Sequence, residues 1–107
     1  MDKKNMMQEG KYYLLNIIPG WILSGKVVKV NETFGEFSHA AWIENNQKSV
    51  FELTAKNPKV RDISTSVHPI YGAHFIDLDF VSMVSEISES TALQLYNFEN
   101  QNAIRNA

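Results

Sequence analysis

The feature that most constrains the fold is an alternation of side-chain character within the segment 73–87. There, Ile76, Leu78 and Phe80 alternate with Asp77, Asp79 and Val81. A period of two residues places one side of a β-strand against a core and leaves the other side in water. The sequence therefore predicts a long strand here, long enough to bend or to serve two sheets, with both aspartates on its solvated side.

Three earlier segments are also predicted to be strands. Residues 11–18, 21–30 and 34–43 are rich in β-branched and aromatic residues and are separated by turn residues, including a Pro-Gly pair after the first segment. Neither face of the segment 21–30 is cleanly polar. Gly25 inside that segment indicates a bulge or a sharp bend, as occurs in small curled barrels.

The spacing of apolar residues becomes helical between residues 47 and 56, just before Pro58. It predicts a short helix inserted between strands. Residues 60–67 are consistent with either a short strand or an ordered loop. The segment 88–98 is consistent with a last short helix, with Ser88 or Ser90 as its cap.

These segments together predict a mainly β fold of one domain. A chain of 107 residues is long enough for one hydrophobic core and too short for two. Five or six short curled antiparallel strands close most easily into a small SH3-like or Sm-like barrel. We expect the domain to cover residues 11–98, with flexible tails at 1–10 and 99–107.

Two segments also carry a resemblance to a family. The run W-I-L-S-G-K-V-V-K-V at 21–30, followed by H-A-A-W-I at 39–43, resembles small phage-encoded proteins with a curled Sm-like barrel. The likeness covers roughly residues 11–70, and residues 88–107 have no counterpart in it. It implies a bacteriophage or prophage origin and ring-forming self-association. It implies no established activity and no catalytic residue.

Composition excludes several classes of protein. The chain has no cysteine, which excludes a disulfide scaffold, a thiolate zinc site and a cysteine nucleophile. No segment reaches the roughly 18 consecutive apolar residues that span a bilayer, and no signal-peptide pattern is present. We therefore expect no membrane association and a cytoplasmic location, in the host cytoplasm if the protein is phage encoded.

Charge is distributed unevenly along the chain. Residues 1–61 contain nine Lys or Arg and six Asp or Glu, whereas residues 62–107 contain one and six. Segments of opposite sign can attract each other within one barrel or pair head to tail between subunits. Ordinary solvated surface charge explains the same pattern. The asymmetry nevertheless favours a homo-oligomer.

Catalytic patterns are not evident. No serine lies in a Gly-x-Ser-x-Gly turn, and no glycine-rich phosphate loop is present. His39, His68 and His74 are interpreted as structural histidines. Asp77 and Asp79 have the spacing to hold a divalent cation, but the sequence offers no further ligands, and we expect neither a metal nor another cofactor.

The residues considered most able to bind a partner are aromatic, basic or acidic side chains near predicted strand ends and turns. They are Trp21, Trp42, His39, Arg61, Asp77 and Asp79.

The sequence thus predicts a non-catalytic, self-associating binding protein that acts on a host protein or a small ligand, as an inhibitor or a sponge. One alternative is an Sm-like RNA-binding module, for which Lys26 and Lys29 near Trp21 are suggestive, although the isoelectric point of about 5.9 argues against it. A second alternative is a small metal-dependent hydrolase that uses Asp77, Asp79 and a histidine.

Overall fold

The pairing of two long strands forms the centre of a six-stranded antiparallel sheet. This sheet is seen in a computed structural model that describes residues 3–17 and 20–98. The strands are β1 (Tyr12–Ile17), β2 (Trp21–Val30), β3 (Phe34–Glu44), β4 (Val67–Ile70), β5 (His74–Asp77) and β6 (Val81–Glu86). Their order is β4-β3-β2-β1-β6, and β5 also pairs with β3.

Two α-helices and three short 3₁₀ segments complete the fold of the described residues. The helices are α1 (Gln47–Leu53) and α2 (Glu89–Tyr96), and the 3₁₀ segments are Lys3–Met6, Val60–Ser66 and Leu78–Phe80. The mainly β class, the strand number, the inserted helix and the C-terminal helix are confirmed. The predicted inserted helix ran to residue 56, whereas α1 ends three residues earlier.

Both helices begin with side-chain caps that the sequence encodes. The Oδ1 atom of Asn46 accepts a hydrogen bond from the Ser49 amide, and Ser49 Oγ accepts one from the Asn46 amide. This reciprocal pair is a capping box, which satisfies two amides that a helix start leaves without partners. In α2, Ser88 Oγ accepts from the Thr91 amide in the same way.

The sheet is curled and open, without the closure expected of a complete barrel. The 3₁₀ segment Leu78–Phe80 carries the chain from β5, which pairs with β3, to β6, which pairs with β1. In the described part of the chain, no ladder joins β5 to β6. The ring of strands is therefore completed by a covalent turn and by side-chain packing.

The strand predicted over 73–87 is divided at this turn into β5 and β6, and the prediction that both aspartates lie on one side of one strand is wrong. The Oδ1 atom of Asp77 accepts a hydrogen bond from the Asp79 amide at 2.9 Å and caps the 3₁₀ segment. A short acidic side chain that bonds to backbone two residues ahead competes with strand pairing. Alternation therefore stops at Asp77, and the two aspartates do not share one strand face.

Each face of the sheet has its own core. One face packs against residues from the β5–β6 connection and from the N-terminal segment; its buried members are Met7, Tyr13, Leu15, Leu23, Val27, Phe37, Ala40, Ile76, Leu78 and Val81. The other face packs against the helices and the 3₁₀ segment Val60–Ser66; its buried members are Ile22, Ala41, Ile43, Leu53, Val60, Ile63, Val67, Leu95 and Phe98. Because both faces of β2 are covered, neither of its faces is cleanly polar in sequence.

A bulge lies where β2 carries its internal glycine, as predicted. Ser24 pairs with Ala41 and Lys26 pairs with Ser38, so β3 has one more residue than β2 across this interval. The extra residue allows His39 to adopt a φ of 50°, in the left-handed region that few residues other than glycine enter. A Cβ on Gly25 would lie 3.3 Å from the Ala40 Cβ, so the bulge and the glycine fit each other.

The N-terminal segment, for which the sequence predicts a flexible tail, contacts the domain from residue 3 onward. Lys3 Nζ donates a hydrogen bond to the Leu78 carbonyl at 2.7 Å. Met7 is buried in the core, and the Gly10 amide donates to the Val27 carbonyl. The predicted tail at 99–107 lies outside the described residues.

The helices are short. Among the described residues, none is long and apolar enough to cross a membrane.

Close packing around Phe37 generates a prediction about stability. The Phe37 ring is fully buried, and a Cβ on Gly35 would lie 2.9 Å from one of its ring carbons. We expect Gly35→Ala to lower the free energy of unfolding by about 1–3 kcal/mol, measured by urea denaturation, because the ring has nowhere to move.

The control is the same substitution in a Phe37→Leu background, where the smaller side chain leaves room for the new methyl group. We expect Gly35→Ala to lower the free energy of unfolding less there than in the wild type. An equal decrease in the two backgrounds would show that the contact with the Phe37 ring is not the cause.

Candidate aromatic binding groove

Three aromatic side chains from neighbouring strands meet at one end of the sheet. Trp42 on β3 pairs with Leu23 on β2 and with His68 on β4, and Trp21 pairs with Glu44. Paired residues of antiparallel strands project to the same face of a sheet. The register therefore brings Trp21, Trp42 and His68 together although they are far apart in sequence.

The three rings surround an open groove of about 350 Å³. The centroids of Trp21 and Trp42 are 6.1 Å apart with ring planes at 78°. Those of Trp21 and His68 are 6.0 Å apart with planes at 66°. Such edge-to-face contacts are the favoured arrangement of aromatic pairs. The groove lined by Trp21, Trp42 and His68 is called the aromatic groove below.

A carboxylate lies at the rim of the aromatic groove. Glu44 Oε1 is 3.9 Å from His68 Nε2, and each of these side chains is about half exposed. This distance exceeds that of a hydrogen bond. An exposed pair of this kind contributes little to stability even when the histidine is protonated. The Glu44 side chain is therefore available to a partner.

His74 contacts Trp42, one of the two tryptophans of the groove. Its ring meets the Trp42 ring edge-on, with centroids 5.5 Å apart and planes at 90°. Its Nε2 atom is buried and has no hydrogen-bond partner among the described residues. Burial lowers the pKa of His74 because it disfavours the charged imidazolium. The ring under Trp42 is therefore neutral at neutral pH.

The other predicted binding residues lie elsewhere, and none lines the aromatic groove. His39 is exposed at the bulge in β3, and the centroid of its ring lies 5.1 Å from that of Tyr96 in α2. Arg61 is exposed in the 3₁₀ segment Val60–Ser66. Asp77 and Asp79 are exposed at the turn that Asp77 caps. The sequence thus predicts the two tryptophans of the site and not the rest.

The sequence does not predict two of the residues at the groove. It indicates a structural role for His68 and gives no signal for Glu44. Both lie beside the tryptophans only because β4 pairs with the last part of β3. A segment containing α1 and the 3₁₀ segment Val60–Ser66 separates these strands, so hydrophobic alternation does not reveal their register. The aromatic groove is therefore a product of tertiary structure.

The residues considered for a metal site and for RNA binding are not grouped at the aromatic groove. Across residues 3–17 and 20–98, no group of three or more His, Asp or Glu side chains is placed to hold a metal ion. Lys26 and Lys29 lie five and eight residues along β2 from Trp21, and at about 3.3 Å per residue this separates them from Trp21 by roughly 16 and 26 Å. Neither lysine lines the groove.

Comparison with known proteins does not assign a family. No model of a known protein family matches the sequence. A search of curated proteins also finds no match.

The buried environment of His74 makes stability depend on pH. The folded-state pKa is lowered, so the unfolded chain binds a proton more readily. The contribution of neutral His74 is fully present above the ordinary histidine pKa of about 6.5 and is lost as pH falls below it, toward the lowered folded-state pKa. We expect wild-type stability to fall between about pH 7.5 and about pH 5.5 in urea denaturation, and His74→Gln to flatten that fall.

A matched control is His39→Asn, which removes an exposed histidine and keeps a residue that tolerates positive φ. This variant should retain the wild-type slope. If His74→Gln keeps the wild-type slope as well, burial of His74 is not the source of the pH dependence.

Proposed function

We propose that the chain is a non-catalytic binding protein whose ligand site is the aromatic groove. The observation that carries this proposal is that the exposed side chains of Trp21 and His68 and the partly buried Trp42 line one groove. Trp21 is 37% exposed. Exposed tryptophans that share a concave surface are typical of ligand sites, since each offers a large apolar area and a polar N–H group.

The chemistry of the groove favours binding over catalysis. Two indoles and an imidazole provide apolar area and stacking surface but no activated nucleophile. His68 lies 3.9 Å from Glu44, and the described lining of the groove contains no serine, threonine or lysine that this pair would activate as a nucleophile. This arrangement supports a role in holding a molecule.

The size of the groove indicates the scale of the ligand. A volume of about 350 Å³ lies at the small end of the range for small-molecule sites, roughly 300–1,000 Å³. A small ligand or a single side chain of a host protein fits such a groove. The sequence resemblance implies a phage or prophage origin, and we propose that an inhibitor or sponge of that origin holds its target through this groove.

Because Trp21 and Trp42 are the two tryptophans of the chain, their indole N–H resonances report on the site directly. We expect at least one of phenol, choline and acetate, each at about 10 mM, to shift both resonances in two-dimensional NMR, since weak ligands of such sites bind in the millimolar range. We expect Trp21→Ala to abolish the shift.

Phe51→Ala is the control, because Phe51 is an aromatic residue of α1 that is 77% exposed and outside the groove. It should leave the titration unchanged. The proposal is overturned if all three compounds leave both indoles unmoved, or if the shifts persist in Trp21→Ala.

We further propose that two copies of the chain associate through β6. Within the described sheet β6 is terminal, so one of its edges has no paired strand. Its Met83 side chain is 59% exposed, and the strand contains no proline. The opposite terminal strand β4 contains Pro69, which lacks an N–H group and is a poorer partner. Antiparallel pairing of β6 with its copy would give a closed twofold dimer.

Light scattering at micromolar concentration tests this association. We expect a mass above the 12.2 kDa of one chain, and we expect Met83→Lys to reduce the mass to that of the monomer, because a lysine on an edge strand opposes pairing. Met6→Lys introduces the same charge at a methionine that is 45% exposed and outside the sheet, and should leave the mass unchanged. A monomeric wild type would refute the dimer.

A further inference from the structure

The aromatic groove has a negative charge at its rim. Glu44 is the cross-strand partner of Trp21, and such pairs have Cβ atoms about 5 Å apart. Its carboxylate also lies next to the His68 ring. The carboxylate therefore lies beside one ring of the groove, on a residue that is paired with a second.

The three rings are steeply inclined to one another and are not stacked. The Trp21 plane is inclined at 78° to Trp42 and at 66° to His68. A flat base or aromatic ligand can stack on only one ring of such a set. A compact cation can contact several rings at once, and the negative face of an indole is the best natural partner for it.

No lysine or arginine belongs to the described lining of the groove, which consists of Trp21, Trp42 and His68. The histidine under Trp42 does not add positive charge, because burial lowers the pKa of His74 and keeps its ring neutral. A bound cation would therefore meet a carboxylate and π-faces without an opposing lysine or arginine in the lining.

We infer that the aromatic groove binds an organic cation of the quaternary or methylated ammonium class, held by the faces of Trp21 and Trp42 and by the carboxylate of Glu44. This inference rests on the proposed binding function and specifies its ligand. The charge at the rim is what selects a cation. An anionic ligand such as a phosphate would meet Glu44 and be repelled.

Choline and its neutral isostere 3,3-dimethylbutan-1-ol form the test. The two have the same shape and differ in one atom, nitrogen or carbon, so a difference in affinity reports the charge alone. We expect choline to bind about 3- to 30-fold more tightly in NMR titrations followed on the Trp42 indole N–H. Sodium chloride at matched ionic strength corrects for non-specific salt effects.

Glu44→Gln provides the second arm, since it retains the shape of the side chain and removes its charge. We expect this variant to bind choline roughly 2- to 5-fold more weakly and the neutral isostere unchanged. Glu36→Gln is the matched control, because Glu36 lies on the same strand and pairs with Lys29, away from the groove. It should bind both compounds as the wild type does.

The outcomes separate the two proposals. Equal affinity for choline and its isostere, or no effect of Glu44→Gln on choline, overturns the cation inference. If phenol or the isostere still shifts both indoles in that case, the groove remains a binding site for an uncharged ligand. If no compound shifts the indoles, the binding function fails together with the inference.

Discussion

The antiparallel pairing of β2 with β3 is the interaction on which the rest of the structure depends. These are the two longest strands, and both faces of the pair are covered. Leu23 and Val27 point into one core, whereas Ile22 and Ile43 point into the other. A shift of the register by one residue would exchange these sets and leave both cores without their members. The register that separates the two cores also places Trp21 diagonally across from Trp42.

The curl of this pair explains how one sheet is nearly able to close on itself. Two irregularities lie within it, at the bulge formed by His39 and at Val28, where β2 has an extra residue. Bulges raise the local twist of a strand pair. β5 can thereby pair with the first part of β3 while β6, only one turn later, reaches β1. β4 pairs with the last part of β3, and this pairing places His68 opposite Trp42.

Much of the fold was predictable because local signals agree with it. Alternation and β-branched residues identify the strands, Gly25 identifies the bulge, and Ser88 identifies the start of α2. The failures arise where a side chain competes with the backbone or where distant strands pair. Asp77 interrupts its strand with a cap, which alternation alone does not reveal. The position of His68 depends on a pairing across an intervening helix, so its sequence neighbours contain no information about it.

The same logic explains why the aromatic groove suits a binding role. Trp21 begins β2 and is 37% exposed, whereas Trp42, near the end of β3, is partly buried against the core that includes Leu78 and Val81. Hydrogen-bonded strands fix the backbone under both rings, and the edge-on contact with His74 restrains Trp42. A ligand bound as proposed would therefore meet a fixed backbone and a restrained Trp42, which lowers the entropy cost of binding.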